Sequence, residues 1–375
     1  MKIKAILKKK SITIFPVYNK QKKVQNFQKR KKMQRPKNNK NWILFCPKKQ
    51  NNLIQAKVLL GFFPFQYFPL DFLNDYQEIP FNGLDLVLHK LQDFYKELEI
   101  EEKVLNVQKI DLHFQQFFKK FPQIVVLDDM KYYNILNNRV NLQNFIENIL
   151  KDDQIFNTFI QKFPQIQLKV PQMVIFNPLK DSFDDFFNKN KQELNYPLLI
   201  KPTTACSTQL SHFMAIILHE KGLNKAIQTK PFNQTEIIIQ ELINHDGKIY
   251  KLYSIGNYTE KQVRASIPNI DTQKYQQEEG IWYFDSQKSF FSQLPIACEQ
   301  KIENKYFELN KQVVNEISQL IIRQLKINLF GFDIVKKTKT QEYYIIDINY
   351  FPGYKDFKDV CEKMQQLYYE ILNKK

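Results

Sequence analysis

Apolar positions along the chain fall in short β-branched or aromatic runs separated by longer mixed segments. Trp42-Ile-Leu-Phe45 and Leu84-Asp-Leu-Val-Leu88 read as strands, the second running into His89-Lys90-Leu91, and predict a small α/β unit over 41–127. After Ile124-Val-Val-Leu-Asp128 the pattern is helical and mixed as far as Tyr196-Pro-Leu-Leu-Ile-Lys201, a short apolar strand that puts Lys201 where a βα loop begins. Residues 236–240, 247–255 and 262–264 are brief, β-branched or aromatic, and bounded by polar turn residues, which predicts antiparallel sheet. Val313, Ile317, Ile321 and Leu325 recur at four-residue steps, so 311–325 reads as an amphipathic helix. Residues 329–335 and 342–348 follow as two strands joined by a polar turn, a hairpin by length and composition.

Composition adds a globular body. The 375 residues are 43% hydrophobic with 32 Phe and 19 Tyr, enough to bury a core spread over two or three domains. No apolar run approaches the roughly 18 residues of a membrane span.

The net charge of +16 suggests a nucleic-acid partner until it is located. Residues 1–40 hold 15 Lys/Arg and no acid, leaving 40 basic against 39 acidic residues in 41–375. The expectation is a basic, disordered tail over 1–40, with nucleic acid touched only non-specifically through it. A polyanion-binding protein acting through that tail is one alternative function. Organelle import is an alternative address, disfavoured by a Lys/Asn/Gln-rich rather than Arg/Ser-rich make-up. Cys46, Cys206, Cys298 and Cys361 are widely spaced and no secretory leader is evident, which predicts a cytoplasmic protein without a disulfide framework or zinc cluster. With 8 Gly and neither G-x-x-x-x-G-K-[ST] nor G-x-G-x-x-G, any ATP must be held by another architecture.

Candidate chemistry gathers near the C-terminus. Asp333 stands on the first hairpin strand, and Asp347 and Asn349, two residues apart on the second, point the same way. Three oxygen donors on one face suit Mg²⁺ with bound phosphates. Each Asp lies between apolar neighbours, Phe332 and Ile334 or Ile346 and Ile348, where a buried carboxylate needs a partner.

Residues 329–335 followed by Ile346-Asp-Ile-Asn-Tyr-Phe-Pro-Gly-Tyr354 resemble the metal-binding segment of the inositol 1,3,4-trisphosphate 5/6-kinases, also called inositol-tetrakisphosphate 1-kinases. His89-Lys-Leu91, Val126-Leu-Asp128, Asn138-Arg139, Pro197-Leu-Leu-Ile-Lys-Pro202, Ser211-His-Phe-Met-Ala215 and 240–251 fall in the family's order, so the resemblance covers roughly 41–365.

The resemblance implies an α/β (α+β) protein of the ATP-grasp fold. Two α/β subdomains, expected at 128–245 and 246–375, clamp ATP, preceded by a small Rossmann-like N-terminal domain over 41–127 that completes the substrate pocket. It implies ATP and Mg²⁺, two ions, as cofactors, a monomer, and an inositol tris- or tetrakisphosphate as phosphoryl acceptor. Metal ligands carried over are Asp333, Asp347 and Asn349. The ATP site takes Arg139, Lys201, Gln240, Glu241, Leu242, Ile243, Lys251 and Ser266. The acceptor's phosphates take Lys49, Lys90, His212, Lys251, Arg264, Asn349 and Gly353, with Lys201, His212, Lys251 and Asp347 serving catalysis. His212 is expected at the start of a helix, where N-terminal NH groups favour anions. His89 is placed either against ligand or in packing. One departure is a serine, Ser207, where the family usually carries glycine. An ATP-grasp carboxylate-amine ligase is the enzymatic alternative, but such ligases commonly carry Glu at the place of Asp347 and have no general need of cations aimed at a polyphosphate.

Overall fold

The computed structural model describes residues 41–44, 66–67, 84–89, 103–129, 132, 135–205, 209–275, 279–295, 309–354 and 356–373. Lys49, Lys90, Ser207 and the basic segment 1–40 lie outside them. The chain divides into two compact units, 1–91 with 100–126, and 92–99 with 127–375.

In the first unit β1 (Asn41–Leu44) runs parallel to β2 (Gln66–Tyr67) and β3 (Leu84–Leu88). The helix α1 (Lys103–Lys120) and β4 (Val125–Leu127) complete a sheet of order β2-β1-β3-β4. Ile110, Phe114 and Phe117 recur at helical spacing on α1 and are buried, so α1 turns one apolar face inward. His89 is buried too, its ring edge-on to Phe114 at 4.9 Å, which assigns it to packing.

The second unit contains two five-stranded sheets. Its elements are α2 (Arg139–Lys151), α3 (Asp153–Lys162), β5 (Gln167–Lys169), β6 (Met173–Phe176), α4 (Phe183–Asn190), β7 (Leu198–Pro202), β8 (Phe213–Ile217), α5 (Glu220–Gln228), β9 (Ile237–Glu241), β10 (Lys248–Ile255), β11 (Tyr258–Ala265), β12 (Ile281–Asp285), α6 (Lys311–Leu325), β13 (Leu329–Lys336), β14 (Glu342–Tyr350) and α7 (Val360–Asn373). One sheet has the order β12-β8-β7-β9-β6, the other β11-β10-β13-β14-β5.

The first of these sheets packs Ile200, Ala215, Ile217 and Ile239 against Leu223, Ala226 and Ile227 of α5 and Phe186 of α4. In the second, α6 matches its predicted limits and buries Val313, Ile317, Ile321 and Leu325. Its Ser318, on the same inner side, closes a buried hydroxyl cluster with Ser254 and Thr259 at 2.5 and 2.8 Å. Truncating Ile317 to alanine there costs about 2–5 kcal/mol.

A boundary at 245/246 separates these sheets only in part. β5, from the earlier segment, runs parallel to β14 in the second sheet, and β12, from the later one, pairs with β8 in the first. The buried Asp128 carboxylate accepts from Asn328 N, Asn328 Nδ2 and Leu329 N, pinning the start of β13, and burial pushes its pKa up to about 6.

Candidate functional site

The predicted carboxylate box forms on the second sheet. Lys251 of β10 pairs with Asp333 of β13, and Asp333 with Asp347 of β14, so three ionisable side chains stand in one row across three strands. Gln262 of β11 extends the row, being paired with Lys251. Asn349, two residues beyond Asp347, pairs with Gly331. A Cβ on Gly331 would come within 3.2 Å of Leu252 O, Pro352 Cγ and Tyr253 Cδ1, so glycine is required beside Asn349 by close approach. Register shifts immediately after Asp333, and this bulge leaves Ile346 as the extra residue of β14 beside the row.

The row divides the sheet face in two. Beyond the bulge, Val335 and Tyr344 cluster with Ile243, backed by Ile249 and Ile346. An apolar floor therefore adjoins a charged one, the surface needed by a flat heterocycle joined to a polyphosphate.

Asp333 is buried, and its Oδ2 accepts from Lys251 Nζ at 2.5 Å. Burial raises the Asp333 pKa, while Lys251 pulls it down. Asn349 Nδ2 donates to Asp347 Oδ2 at 2.7 Å. The donor set is all oxygen, as a hard divalent cation requires, and among the described residues no group of three His, Cys, Asp or Glu could enclose a metal by itself. A site that leaves positions for phosphate oxygens suits Mg²⁺, and the residues present fit it.

From the facing sheet, Lys201 reaches a cavity lined also by Arg139, Gln143, Gln240, Ile346 and Asp347. Lys201 is buried and donates to Gln240 Oε1 at 2.8 Å. Burial and the neighbouring Arg139 lower its pKa to about 8, opposed by Asp347 and Asp333. Gln240 Nε2 donates onward to Gln143 Oε1 at 3.0 Å, and Gln143 Nε2 to Glu147 Oε1 and Pro171 O. Sequence reasoning missed Gln143. Its signal was a glutamine among Leu142, Ile146 and Ile149 on the buried face of α2, where an amide must find partners.

Arg139 holds the segment after β7. Its guanidinium donates to Pro202 O, Thr204 O and Ser211 O at 2.6, 2.8 and 3.1 Å, and its backbone N–H donates to Thr203 O. Much of its donor capacity is committed to loop carbonyls.

Along 241–243, Glu241 N donates to Gln172 O and Leu242 N to Pro197 O, while Ile243 O lies 2.6 Å from His245 Nδ1. Burial raises the Glu241 pKa. Ser266 N donates to Gly247 O just past β11. Arg264 Nη2 donates to Tyr253 OH and Gln262 Oε1 at 3.1 and 2.9 Å, joining Arg264 to the row through Gln262.

His212 corrects the sequence reading. It ends a 3₁₀ turn (Gln209–His212) and leads into β8 rather than opening a helix, because Phe213-Met-Ala-Ile-Ile217 is a buried strand paired on both sides. The anion-favouring NH groups of a helix start are not supplied there, and His212 O instead accepts from Ser286 N at 2.9 Å. At Gly353 an added Cβ would meet no atom within 4 Å, so nothing around it demands glycine.

Comparison with known proteins identifies the family. Residues 165–369, more than half of the chain, match the family model described as inositol 1,3,4-trisphosphate 5/6-kinase ATP-grasp domain. The chain is 25% identical over 296 residues to inositol-tetrakisphosphate 1-kinase 1 of Arabidopsis thaliana, covering 78% of this chain and 82% of that protein. It is 30% identical over 190 residues to inositol-tetrakisphosphate 1-kinase 1 of Zea mays, covering 48% of this chain and spanning about half, 52%, of that relative. Among solved structures, the macrocyclase MdnC of Microcystis aeruginosa, bound with its precursor peptide, superposes with a TM-score of 0.51 at 12% identity over 89% of this chain and 100% of that one, a likeness of fold alone.

Proposed function

The chain belongs to the inositol 1,3,4-trisphosphate 5/6-kinase ATP-grasp family, and from that premise we propose that it transfers the γ-phosphoryl group of ATP to a hydroxyl of an inositol tris- or tetrakisphosphate. The observation that carries the reading is the row Lys251, Asp333, Asp347 on three paired strands, with Asp347 also lining the cavity that holds Lys201 and Arg139. Family membership decides against the ligase alternative, and the near balance of charge over 41–375 argues against a protein that acts only through its basic tail.

Nothing in the site suggests a covalent intermediate, so positioning and charge neutralisation supply the acceleration. Lys201, held by Gln240 and Gln143, presents its ammonium to the phosphates from the β7 side. Arg139 shapes the loop over which those phosphates pass and adds positive charge behind Lys201. The backbone of 240–243 reads the base above the floor of Ile243, Val335 and Tyr344. Asp333, Asp347 and Asn349 would hold Mg²⁺, which when bound would supply charge neutralisation at the phosphates. Asp347 is flanked by Asp333 across the strand pair and by Asn349 along its own strand, and that position supports the reading that it would serve both of two ions. We assign Lys251, Arg264 and His212, which leads into β8, to the acceptor's phosphates; Lys49 and Lys90, given the same task by the resemblance, lie outside the described residues. Asp347 also orients the attacking hydroxyl.

Incubating the protein with ATP, Mg²⁺ and a panel of inositol tris- and tetrakisphosphates, with products resolved by isomer, tests the reading. One more phosphate on at least one isomer is expected. No product from any isomer overturns it.

A further inference from the structure

The second sheet has another polar concavity, on the face opposite the carboxylate row. Lys248 and Tyr250 alternate with Lys251 along β10, and Lys336 stands three residues beyond Asp333 on β13, so their side chains leave the sheet on the other side. With His245, Asp246, Lys337 and Lys339 they line a small polar cavity. Four lysines meet one carboxylate there.

The walls are tied together. Thr338 Oγ1 donates to Asn244 O and to Asp246 Oδ1, at 3.0 and 2.9 Å, linking the turn before β10 to the turn between β13 and β14. Asn269 Nδ2 also donates to Asp246 Oδ1 at 2.8 Å. Asp246 keeps its negative charge while accepting from these neutral donors, so a single carboxylate stands among four lysines and positive charge is in excess. Lys337 is paired with Glu342, which Lys169 shares, and Lys336 lies over the Tyr343 ring at 5.8 Å. Lys248 and Lys339 have no carboxylate partner among the described residues.

His245 supplies an independent pointer. The residue is 94% buried, Nδ1 lies 2.6 Å from Ile243 O and must carry the proton of that hydrogen bond, and Nε2 is buried without a hydrogen-bond partner. A buried nitrogen without a partner, on a residue that lines a lysine-rich cavity, is a costly arrangement in a protein that nothing binds there.

We propose that this concavity is a second anion site, distinct from the kinase centre, which takes a free phosphomonoester-bearing small molecule, one phosphate seated among Lys248, Lys336 and Lys339 and bonded to His245 Nε2. Four lysines converging from two turns onto one small cavity suit a compact, densely charged group rather than the extended stripe a nucleic acid needs. A hydroxyl or protonated phosphate oxygen donates to the bare Nε2. A dianionic oxygen instead draws a proton onto it, after which Nε2 donates. The inference rests on none of the catalytic assignments.

The test follows the His245 ring nitrogens by ¹⁵N NMR in the full chain as inorganic phosphate, and separately an inositol tetrakisphosphate, is titrated in. Either probe should move Nε2 saturably while Nδ1 stays protonated. In Lys248→Gln/Lys339→Gln the apparent affinity for phosphate at this resonance should weaken about ten-fold or more, and in Asp347→Asn it should be unchanged. An unmoved Nε2, or an affinity insensitive to the double lysine change, overturns the proposal. A response to phosphoinositide vesicles and to neither free probe overturns the small-molecule ligand as well. No turnover is read, so the result is separable from the kinase reading.

Discussion

Lys251 Nζ and Asp333 Oδ2 lie 2.5 Å apart on directly paired residues of neighbouring strands. In the protein alone, the cation assigned to phosphates and the anion assigned to metal therefore neutralise each other. On the proposed assignment, binding of a metal-nucleotide would exchange this pair, Lys251 turning to phosphate oxygens as Asp333 turns to the ion. Burial raises the Asp333 pKa, and the Lys251 ammonium opposes that rise.

Lys251→Met should accordingly destabilise the protein in EDTA, by about 1–3 kcal/mol for a pair that is not wholly enclosed. Millimolar Mg²⁺ should recover much of that loss in the variant and have less effect on wild type, because the ion takes the place of the missing ammonium. Thermal unfolding with and without Mg²⁺ reads both numbers. Equal Mg²⁺ responses would remove Asp333 from the metal site.

Asp347→Asn separates chemistry from folding. The new side chain keeps an oxygen to accept from Asn349 Nδ2, so the unfolding midpoint should scarcely move. Loss of the central carboxylate should lower kcat on the order of 10²-fold or more. Activity within ten-fold of wild type, with the fold intact, would be incompatible with Asp347 as a metal ligand.

What the sequence made legible follows from length and period. The helix 311–325 was readable because Val313, Ile317, Ile321 and Leu325 repeat the helical period over four turns, and the hairpin because two apolar runs flank one polar turn. That Asp333 and Asp347 lie on partnered strands followed from the hairpin, but a regular register would set Asp333 opposite Ile346, and only the bulge after Asp333 brings it opposite Asp347. β5 and β6 were hidden inside a stretch read as helical and mixed, since strands of three and four residues carry no measurable alternation. Attachment of β5 to the far sheet is a tertiary choice that no local pattern encodes. His212 was drawn toward a helix by its neighbour Ser211, although the five residues after it form a buried strand. Arg139 was identified as a cation, but its three carbonyl partners come from a segment more than sixty residues away.

Gln143 tests whether that hidden network matters. Gln143→Leu should cost about 1–2 kcal/mol of stability, because Gln240 Nε2 loses its acceptor in a buried place. With Gln240 free to rotate, Lys201 loses its fixed aim, so KM for ATP should rise several-fold while kcat changes less. A purely structural glutamine would lower stability and leave KM unmoved, and that result would end the positioning role.

Lys201 gives the site a pH dependence whose sign can be worked out. Its folded-state pKa is lowered to about 8 by burial and by Arg139. A lysine depressed in this way opposes folding while charged, so the cost is fully present below about pH 8 and is relieved as pH rises toward the unfolded value. ATP selects the charged form, because its phosphates need the ammonium. Affinity for ATP should therefore be greatest below about pH 8 and fall as pH rises through it, approaching ten-fold for each further pH unit until the complex itself deprotonates. Lys201→Met removes both effects. It should bind ATP more weakly at every pH with no inflection near 8, while the ligand-free protein gains on the order of 1–3 kcal/mol at neutral pH. Calorimetric ATP titrations from pH 6.5 to 9.5, beside unfolding curves of both proteins, measure the two signs independently. A wild-type affinity that is flat across that range would show that the Lys201 charge is not what the phosphates meet.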